Sequence, residues 1–399
     1  MSGESDPERE KALMFTIEAL DAGEGDCLLV LVGDPASPTI TLIDGGPART
    51  YNRALRPRLR ELQAARGAAG EQAPLPLDLV VLTHVDDDHV AGLLKLVEAL
   101  AEAKEARQPA PVQIEELWHN SFDDLIGEDQ VAAAIAYLDA LPEEEAGALA
   151  GTRQGRELRD LARRLKIAVN EPFGGRLVGR PDDAAVVVER EGGLRLTVLG
   201  PTRSELRAYQ TQWDRDLKAG RAGAVAATPD TSTFNLSSVM LLAEVDGRRA
   251  LLTGDGRADH LLAGLVAAGL LSAEGDDTLH VDVFKLPHHG SCRNVSAALL
   301  RRVTAATYII SANGKHDNPD IETLELLAEA RGEEAYSLVL TFAERAYEQV
   351  DADREGKRRA ALEAVDQWLA ARPEGRPRLI YREPDALSVV IELGAATNA

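Results

Sequence analysis

The sequence has few cysteines and no long apolar run. Cys27 and Cys292 are its only cysteines, too few for a disulfide framework or for a zinc site built from thiolates. No apolar run approaches the roughly 20 residues that span a bilayer. The polar residues 1–10 lack the apolar core of a signal peptide. The sequence therefore predicts a cytoplasmic protein with reduced thiols and no membrane partner.

Positive charge is also scarce. The 44 Lys and Arg residues face 66 Asp and Glu residues, which gives a formal net charge of −22. This balance argues against a broad basic surface for nucleic acid, and aromatic residues at 4% leave few platforms for base stacking. A metal site offsets acidic charge locally, so nucleic acid or another phosphodiester stays open as a substrate.

What is present is typical of a globular protein in which strands alternate with helices. Hydrophobic residues make up 45% and charged residues 28% of the 399 residues. We expect one domain over 12–399, preceded by a flexible N-terminus at 1–11. The run 121–167, rich in Ala, Glu, Leu and Arg, shows helical spacing without strand chemistry and predicts a helical insertion.

Hydrophobic periodicity and turn residues predict the individual elements. Predicted strands comprise two within 15–32 and others at 39–43, 77–82, 112–118, 194–199, 238–245, 249–252, 280–286, 306–310, 337–342 and 387–393. Predicted helices lie at 53–69, from 90 to 100, at 320–330 and at 355–371. Polar residues collect at the strand ends, and in such sheets the loops at one edge lie side by side, so these residues are expected to converge.

The densest group of such residues follows the strand that begins at Leu79. The segment Leu79–His89 starts apolar and then carries His84, Asp86, Asp88 and His89. Burying so many ionisable groups is costly unless they are paired or hold a metal. Imidazole and carboxylate together suit first-row transition metals. The segment therefore predicts a metal-binding loop between a buried strand and a helix.

The pattern His84-x-Asp86-x-Asp88-His89 resembles the metal-binding signature of the metallo-β-lactamase-fold hydrolases. Other family segments occur in the family's order: Asp21–Asp26, Leu42–Gly46, Leu251–Asp255 and Lys285–Ser291. The set is most similar to the branch that contains the soluble domain of the bacterial DNA-uptake channel ComEC. The resemblance implies the α/β (α+β) class, as a four-layer αβ/βα sandwich with a helical insertion and a metal site at one edge of its sheets.

The resemblance also implies a site for two divalent metal ions. One ion would take His84 and Asp86, the other would take Asp88, His89 and His288, Asp255 would bridge them, and His119 stands where a further ligand often follows a strand. Most of the wider fold has histidine at the position of Asp86. The carboxylate favours manganese or magnesium over zinc relative to a histidine-rich site. Asp21 and Asp26 are interpreted as turn residues, and Asp44 as a support of the metal loop.

Such a dinuclear site activates water and neutralises an oxyanion, which suits phosphodiesters. The predicted catalytic residues are Asp88, Asp255, His289 and His316. The predicted substrate-binding residues are Lys285, Ser291 and Asn235. The family's late His-Pro is replaced here by Asn318-Pro319, with His316 two residues earlier.

Three functions stay open at this point. The first is a metal-dependent phosphodiesterase or nuclease, which predicts an open basic channel. The second is a hydrolase of a small ester, lactone, thioester or cyclic nucleotide, which predicts a deep enclosed pocket. The third is an effector of a multi-protein system that a protein partner activates.

Overall fold

Two β-sheets organise the part of the chain that the computed structural model describes, which comprises residues 13–68, 74–120, 150–208, 211, 237–373 and 376–394. The strands are β1 (Met14–Leu20), β2 (Leu28–Asp34), β3 (Ser37–Ile43), β4 (Leu75–Leu77), β5 (Leu79–Val81), β6 (Val112–Ile114), β7 (Glu116–Trp118), β8 (Ala168–Val169), β9 (Val186–Glu189), β10 (Arg195–Gly200), β11 (Met240–Val245), β12 (Arg248–Leu252), β13 (Leu279–Lys285), β14 (Val303–Ile310), β15 (Ser337–Leu340), β16 (Arg378–Tyr381) and β17 (Ser388–Glu392).

The α-helices lie against the outer faces of these sheets. They are α1 (Ala48–Thr50), α2 (Arg56–Ala68), α3 (Asp87–Glu105), α4 (Ala150–Leu165), α5 (Ala258–Ala267), α6 (Ala297–Arg302), α7 (Ile321–Arg331) and α8 (Gly356–Ala370). A π-helical turn, Tyr51–Leu55, joins α1 to α2. Among the described residues, no helix is long and apolar enough to cross a membrane.

Both sheets combine an antiparallel half with a parallel half. The first has the order β17-β1-β2-β3-β5-β7-β8, antiparallel as far as β3 and parallel from there. The second has the order β16-β15-β14-β13-β12-β11-β10-β9, parallel from β12 to β16. The carboxyl ends of parallel strands meet at one edge of a sheet, which is where open α/β sheets place their sites.

Three apolar clusters hold the layers together. Phe15 of β1, Leu241 of β11 and Ile309 of β14 belong to the cluster between the two sheets. The other two clusters lie between each sheet and its helices, and Leu93 and Leu299 are members. Full burial of each such side chain contributes roughly 1.5–3 kcal/mol. The predicted four-layer αβ/βα sandwich is thereby confirmed.

Two predicted strands turn out to be divided. The prediction of one strand at 77–82 is wrong, because the chain bends at Asp78 between β4 and β5. At this bend the Asp78 carboxylate accepts a hydrogen bond from the Ile40 amide at 2.7 Å, so the Asp78 side chain bonds to the backbone of the neighbouring strand β3. The run 112–118 is divided at Glu115 in the same way. As a result β4 pairs with β6 in a small separate sheet, while β5 and β7 belong to the first of the two large sheets.

Most other predicted elements are confirmed within a few residues. The turn at Asp246-Gly247 joins β11 to β12 as a hairpin, with both residues at positive φ. Helix α4 lies in the predicted insertion 121–167, of which 121–149 is outside the described residues. The apolar side of α4, including the fully buried Leu158, joins the cluster beneath the first sheet.

Candidate metal centre

The loop between β5 and α3 carries the first ligand-type side chains. The helix begins at Asp87, so its first turn contains Asp87 and Asp88, where carboxylates interact favourably with the helix dipole. His84 and His89 are fully buried, whereas the side chain of Asp88 is 28% exposed. This loop thus presents two buried imidazoles and two partly exposed carboxylates, those of Asp86 and Asp88.

Asp44, at the end of β3, fixes this loop from the neighbouring strand. Its carboxylate accepts hydrogen bonds from the Thr83 amide and the Thr83 hydroxyl, each at 2.7 Å. It also lies 2.8 Å from Nδ1 of His89. A carboxylate on one ring nitrogen orients the other nitrogen, so Nε2 of His89 is left facing the cluster. The interpretation of Asp44 as a support of the metal loop agrees with these contacts.

The second sheet delivers Asp255, which follows β12 and lies at the centre of the cluster. Its Oδ1 is 3.4 Å from Nε2 of His89, and its Oδ2 is 3.8 Å from Nε2 of His84. The same Oδ2 is 3.5 Å from Nε2 of His288 and 3.7 Å from Nε2 of His289. Four imidazoles therefore converge on one buried carboxylate.

His288 and His289 follow β13 in a tight turn in which both have positive φ. Nδ1 of His289 is 2.9 Å from the Ser311 carbonyl, and its Nε2 is 3.4 Å from Oδ2 of Asp88. Nδ1 of His288 is 2.8 Å from Oδ1 of Asn294, and the Asn294 amide group donates to the Asp255 carbonyl. The turn thus aims both Nε2 atoms at the carboxylates of the cluster.

The cluster has the properties of a site for divalent cations. Several of its buried donor atoms lack a hydrogen-bond partner: Nε2 of His84, His89 and His289, and Oδ1 of Asp26 and Asp255. Leaving so many buried polar atoms unsatisfied is costly. Potential ligand atoms lie within 4.8 Å of one another in four groups around this centre: His84, His89 and Asp255; Asp88, His89 and His289; Asp26, Asp255 and His289; Asp26, Asp44 and His89. Mixed nitrogen and carboxylate donors suit first-row divalent metals, so the residues fit such ions.

The buried carboxylates and imidazoles of the cluster shift one another's pKa values. Burial opposes charge on His89, but the carboxylates of Asp255 and Asp44 outweigh it and raise its pKa well above the usual value. For His289 burial is likewise outweighed, by Asp255 and Asp26, which raise its pKa to about 10. For Asp88 the effect of burial is outweighed by the nearby imidazoles of His289 and His89, which lower its pKa. At His89 and His289 these shifts favour a proton on the ring, so a cation would compete with protons there.

A buried ion pair that the sequence did not indicate completes the cluster. Lys285 at the end of β13 is fully buried, and its ammonium pairs with Oδ2 of Asp26. Oδ1 of Asp26 lies 3.4 Å from Nδ1 of His289. Burial alone would raise the pKa of Asp26, but Lys285 and His289 lower it to about 2. Asp26, interpreted from sequence as a turn residue, is thus a charged member of the cluster.

The other predicted site residues lie at varying distances from the cluster. Oδ2 of Asp86 is 3.6 Å from Nε2 of His84. The buried His119 follows β7 and exchanges two backbone hydrogen bonds with the Asn170 side chain, and it is in none of the ligand groups found among the described residues. The Ser291 hydroxyl donates to Asp320 at 3.3 Å.

His316 lines a cleft beside the cluster, and Asn235 falls outside the described residues. The roles predicted for all of these residues stay predictions. Lys285, predicted to contact substrate, is enclosed with Asp26 in this structure, so its charge acts on the cluster.

The comparison with protein families agrees with this geometry. The model of the Metallo-beta-lactamase superfamily matches residues 22–314, well over half of the chain. The chain therefore belongs to the metallo-beta-lactamase superfamily, whose members are predominantly metal-dependent hydrolases. No curated protein matches the chain.

Proposed function

We propose that this chain is a metal-dependent phosphodiesterase, and more specifically a nuclease. The observation that carries the proposal is the make-up of the buried cluster. Asp26, Asp88 and Asp255 meet there with the imidazoles of both sheets. A carboxylate-rich site of this kind favours hard, oxygen-seeking cations such as manganese and magnesium. These are the cations that usually neutralise the charge of phosphate substrates.

The residues that would hold two cations are those with converging donor atoms. His84, Asp86 and Asp255 would form one end of the site, and Asp88, His89 and His289 the other. His289 enters this set because its Nε2 lies with Asp88 and His89, whereas Nε2 of His288 lies near Asp255 and belongs to none of the ligand groups of the described residues. When bound, such cations act as Lewis acids that lower the pKa of water and neutralise charge on a phosphoryl oxygen.

The chain's own residues supply orientation and proton transfer. The side chain of Asp88 is 28% exposed while that of Asp255 is only 3% exposed, so Asp88 is the more accessible of these two carboxylates to water. Asp88 would accept the proton of the attacking water. His316 lies at the rim of the adjoining cleft, where it would donate a proton to the leaving oxygen. Burial and the charge of Lys315 lower the pKa of His316, so the protonated form that this role requires is favoured at acidic pH.

The resemblance to the DNA-uptake branch supports a polymeric phosphodiester as the substrate. The similar motifs supply Asp26, Asp44, Asp255 and His289, which all meet in the cluster. A small phosphodiester or ester is the second candidate, because the cleft beside the cluster has a volume of about 960 Å³, within the range of small-molecule sites.

The deciding experiment is hydrolysis by metal-stripped protein. Single-stranded DNA, double-stranded DNA, RNA and bis(p-nitrophenyl) phosphate are offered while manganese, magnesium or zinc is added back singly. We expect polymer cleavage with manganese or magnesium, reduced roughly a thousandfold or more in Asp88→Ala/His89→Ala. The matched control is His280→Ala/Asp282→Ala, which removes one imidazole and one carboxylate of β13 outside the cluster.

Each outcome decides between the candidates. Cleavage of the small diester alone would transfer the assignment to a small-molecule hydrolase. If the protein binds cations but hydrolyses none of the phosphodiesters, the proposal is overturned. Equal losses in both double variants would show that the cluster has no special role in the reaction.

A further inference from the structure

A wide cleft adjoins the metal cluster along the same edge of the second sheet. Asp255 and His289 follow β12 and β13, and the next three strands, β14 to β16, end at the cleft. Their end loops contribute Ala312–Asp317, Phe342 and Arg382 to its lining. The cleft is therefore the continuation of the site along the row of parallel strand ends.

The lining of this cleft is basic although the chain is acidic. Seven lysines and arginines line it: Arg49, Arg53, Lys315, Arg354, Lys357, Arg358 and Arg382. Only four carboxylates, including those of Asp21 and Glu24, accompany them, which leaves a surplus of three positive charges. The whole chain has 44 basic against 66 acidic residues. Positive charge is thus concentrated where a substrate would approach the cluster.

Glu24 and Asp21 hold four of these cations in fixed positions. Glu24 is buried and pairs with Arg49 through both carboxylate oxygens and with Nζ of Lys315 at 3.0 Å. Asp21 pairs with Arg53 at 2.8 Å and with Arg382 at 3.2 Å. Two cations on each carboxylate leave one positive charge in excess at each point.

The guanidinium and ammonium groups that face the cleft are accessible and close to one another. The side chains of Arg49, Arg53 and Lys315 are 49%, 61% and 51% exposed. From the opposite wall, Nε of Arg358 donates to the Asn313 carbonyl at 2.9 Å, which ties α8 to the loop that carries Lys315. Burial and the neighbouring charges of Arg358 and Arg53 lower the pKa of Arg49. An anion in the cleft would relieve this mutual repulsion.

Two loops connect the cleft physically to the cluster. Residues 21–26 place Glu24 in the cleft and Asp26 in the cluster. Residues 311–317 place Lys315 in the cleft, while the Ser311 carbonyl holds His289. The Ser311 hydroxyl donates to the Gly25 carbonyl at 2.6 Å, which joins the two loops. A chain of phosphates bound in the cleft would therefore lead directly to the cluster.

We propose that this cleft binds the sugar-phosphate backbone of a nucleic-acid strand at phosphates beyond the one that is cleaved. The inference rests on the proposed function and names the substrate class of the same site. The lining offers guanidinium and ammonium groups for phosphate, while its aromatic side chain, Phe342, is buried and provides no open face for stacking. Recognition is therefore independent of base sequence.

Binding without turnover tests the inference separately from catalysis. Fluorescence anisotropy of labelled single-stranded DNA is measured with the full chain in the presence of a chelator. We expect Arg49→Gln/Lys315→Gln to weaken binding roughly tenfold for every base sequence tried. The slope of log affinity against log salt should fall by about 0.7 for each lost contact.

The chain provides matched controls for this double variant. Lys95, 47% exposed and paired with Glu98, matches Lys315, and Arg195, 50% exposed and paired with Glu189, matches Arg49. Lys95→Gln/Arg195→Gln removes the same charge outside the cleft. If the cleft variant fails to fold, Arg354→Glu/Lys357→Glu replaces it, since Arg354 is 87% exposed and Lys357 is also exposed.

The outcomes separate the two proposals. Equal binding by the cleft and control variants, or binding that does not respond to salt, would overturn the inference. Cleft-dependent binding by a protein that cleaves no phosphodiester would support the inference and overturn the proposed function. Cleavage of DNA with unchanged affinity in both cleft variants would support the proposed function and overturn the inference.

Discussion

At the scale of single residues, the cluster depends on carboxylates that orient imidazoles. Asp44 contacts His89 and Thr83, Asp26 contacts His289 and Lys285, and neither carboxylate has an exposed oxygen to offer a substrate. Such outer contacts fix ring orientation and typically change metal affinity 10–100-fold when removed, on the order seen for other metal sites. The ring orientations of His89 and His289 are therefore set by carboxylates on their Nδ1 side.

The first prediction concerns Asp44. Replacing it as Asp44→Asn should lower the affinity for manganese by about 10–100-fold, because an amide provides a weaker acceptor for Nδ1 of His89 and for the Thr83 hydroxyl. Calorimetric titration with manganese measures the change. Asp78→Asn is the control, since the Asp78 carboxylate also accepts a backbone amide but lies outside every ligand group of the described residues. Equal affinities in both variants would contradict the role given to Asp44.

A second prediction concerns the reactivity of Cys292. Burial, the hydrogen bond to Asp320 and the charge of that carboxylate raise the pKa of this thiol to about 11. A raised pKa keeps the thiol protonated and unreactive at pH 8, so alkylation by iodoacetamide should accelerate only as the pH approaches 11. Asp320→Asn should shift this profile to lower pH. The fully buried Cys27 stays unmodified in the folded protein and serves as the internal control. A half-maximal rate near pH 8.5 in the native chain, about that of a free thiol, would refute the prediction.

At the scale of elements, the cluster depends on close packing of two loops of the first sheet, which meet at Gly25. A Cβ on Gly25 would lie 1.8 Å from the Asp88 carbonyl oxygen, and the Asp26 amide donates to that same oxygen at 3.3 Å. The Gly-rich loop therefore packs backbone against backbone on the first turn of α3. Only glycine permits this approach, which places Asp26 beside the ligands of the other loop.

Gly25→Ala tests this contact. We expect loss of several kcal/mol of stability, on the order of other overpacked buried sites, together with weaker manganese binding, because a backbone carbonyl cannot move aside as a flexible side chain does. Thermal unfolding and metal titration measure both effects. Gly67→Ala in α2 is the control, since a Cβ there meets nothing within 4 Å and alanine favours a helix by up to about 1 kcal/mol. Similar stability in the two variants would rule out the packing described for Gly25.

The sequence predicted local elements better than their pairing. The apolar run before His84 and the helical spacing after His89 are local signals, and the strand, loop and helix follow them. The divided strands at Asp78 and Glu115 were missed because their causes are partners distant in sequence, such as the amide of Ile40. The four-layer arrangement came from the resemblance to a known family, and the order of strands was not predicted, since periodicity alone does not assign neighbours.

At the scale of the whole molecule, charge is distributed unevenly. An acidic chain presents a basic cleft next to a cluster of buried carboxylates and imidazoles. The cations of the cleft come from positions between Arg49 and Arg382, so no run of sequence indicated them. The pair of Lys285 and Asp26 was missed for the same reason, whereas the ligand-type residues from His84 to His89 are consecutive enough to be predicted together.

Bound cations should stabilise the whole fold, because they join loops from both sheets. Removal of metal with a chelator is expected to lower the unfolding temperature by several degrees, and added manganese should restore it in proportion to its concentration. Differential scanning calorimetry measures the shift. The double variant Asp88→Ala/His89→Ala should show no response to either treatment. A response of that variant equal to that of the native chain would place the stabilising cations elsewhere.

The number of cations bound per chain tests the central claim most directly. Equilibrium dialysis against manganese, followed by elemental analysis, is expected to give about two high-affinity ions for the native chain, as in hydrolases with two-metal sites. The Asp255→Ala variant should bind fewer, because Asp255 contacts the imidazoles from both loops. Absence of bound manganese, magnesium and zinc in the native chain, or full binding in Asp255→Ala, would contradict a metal centre built from the edges of both sheets.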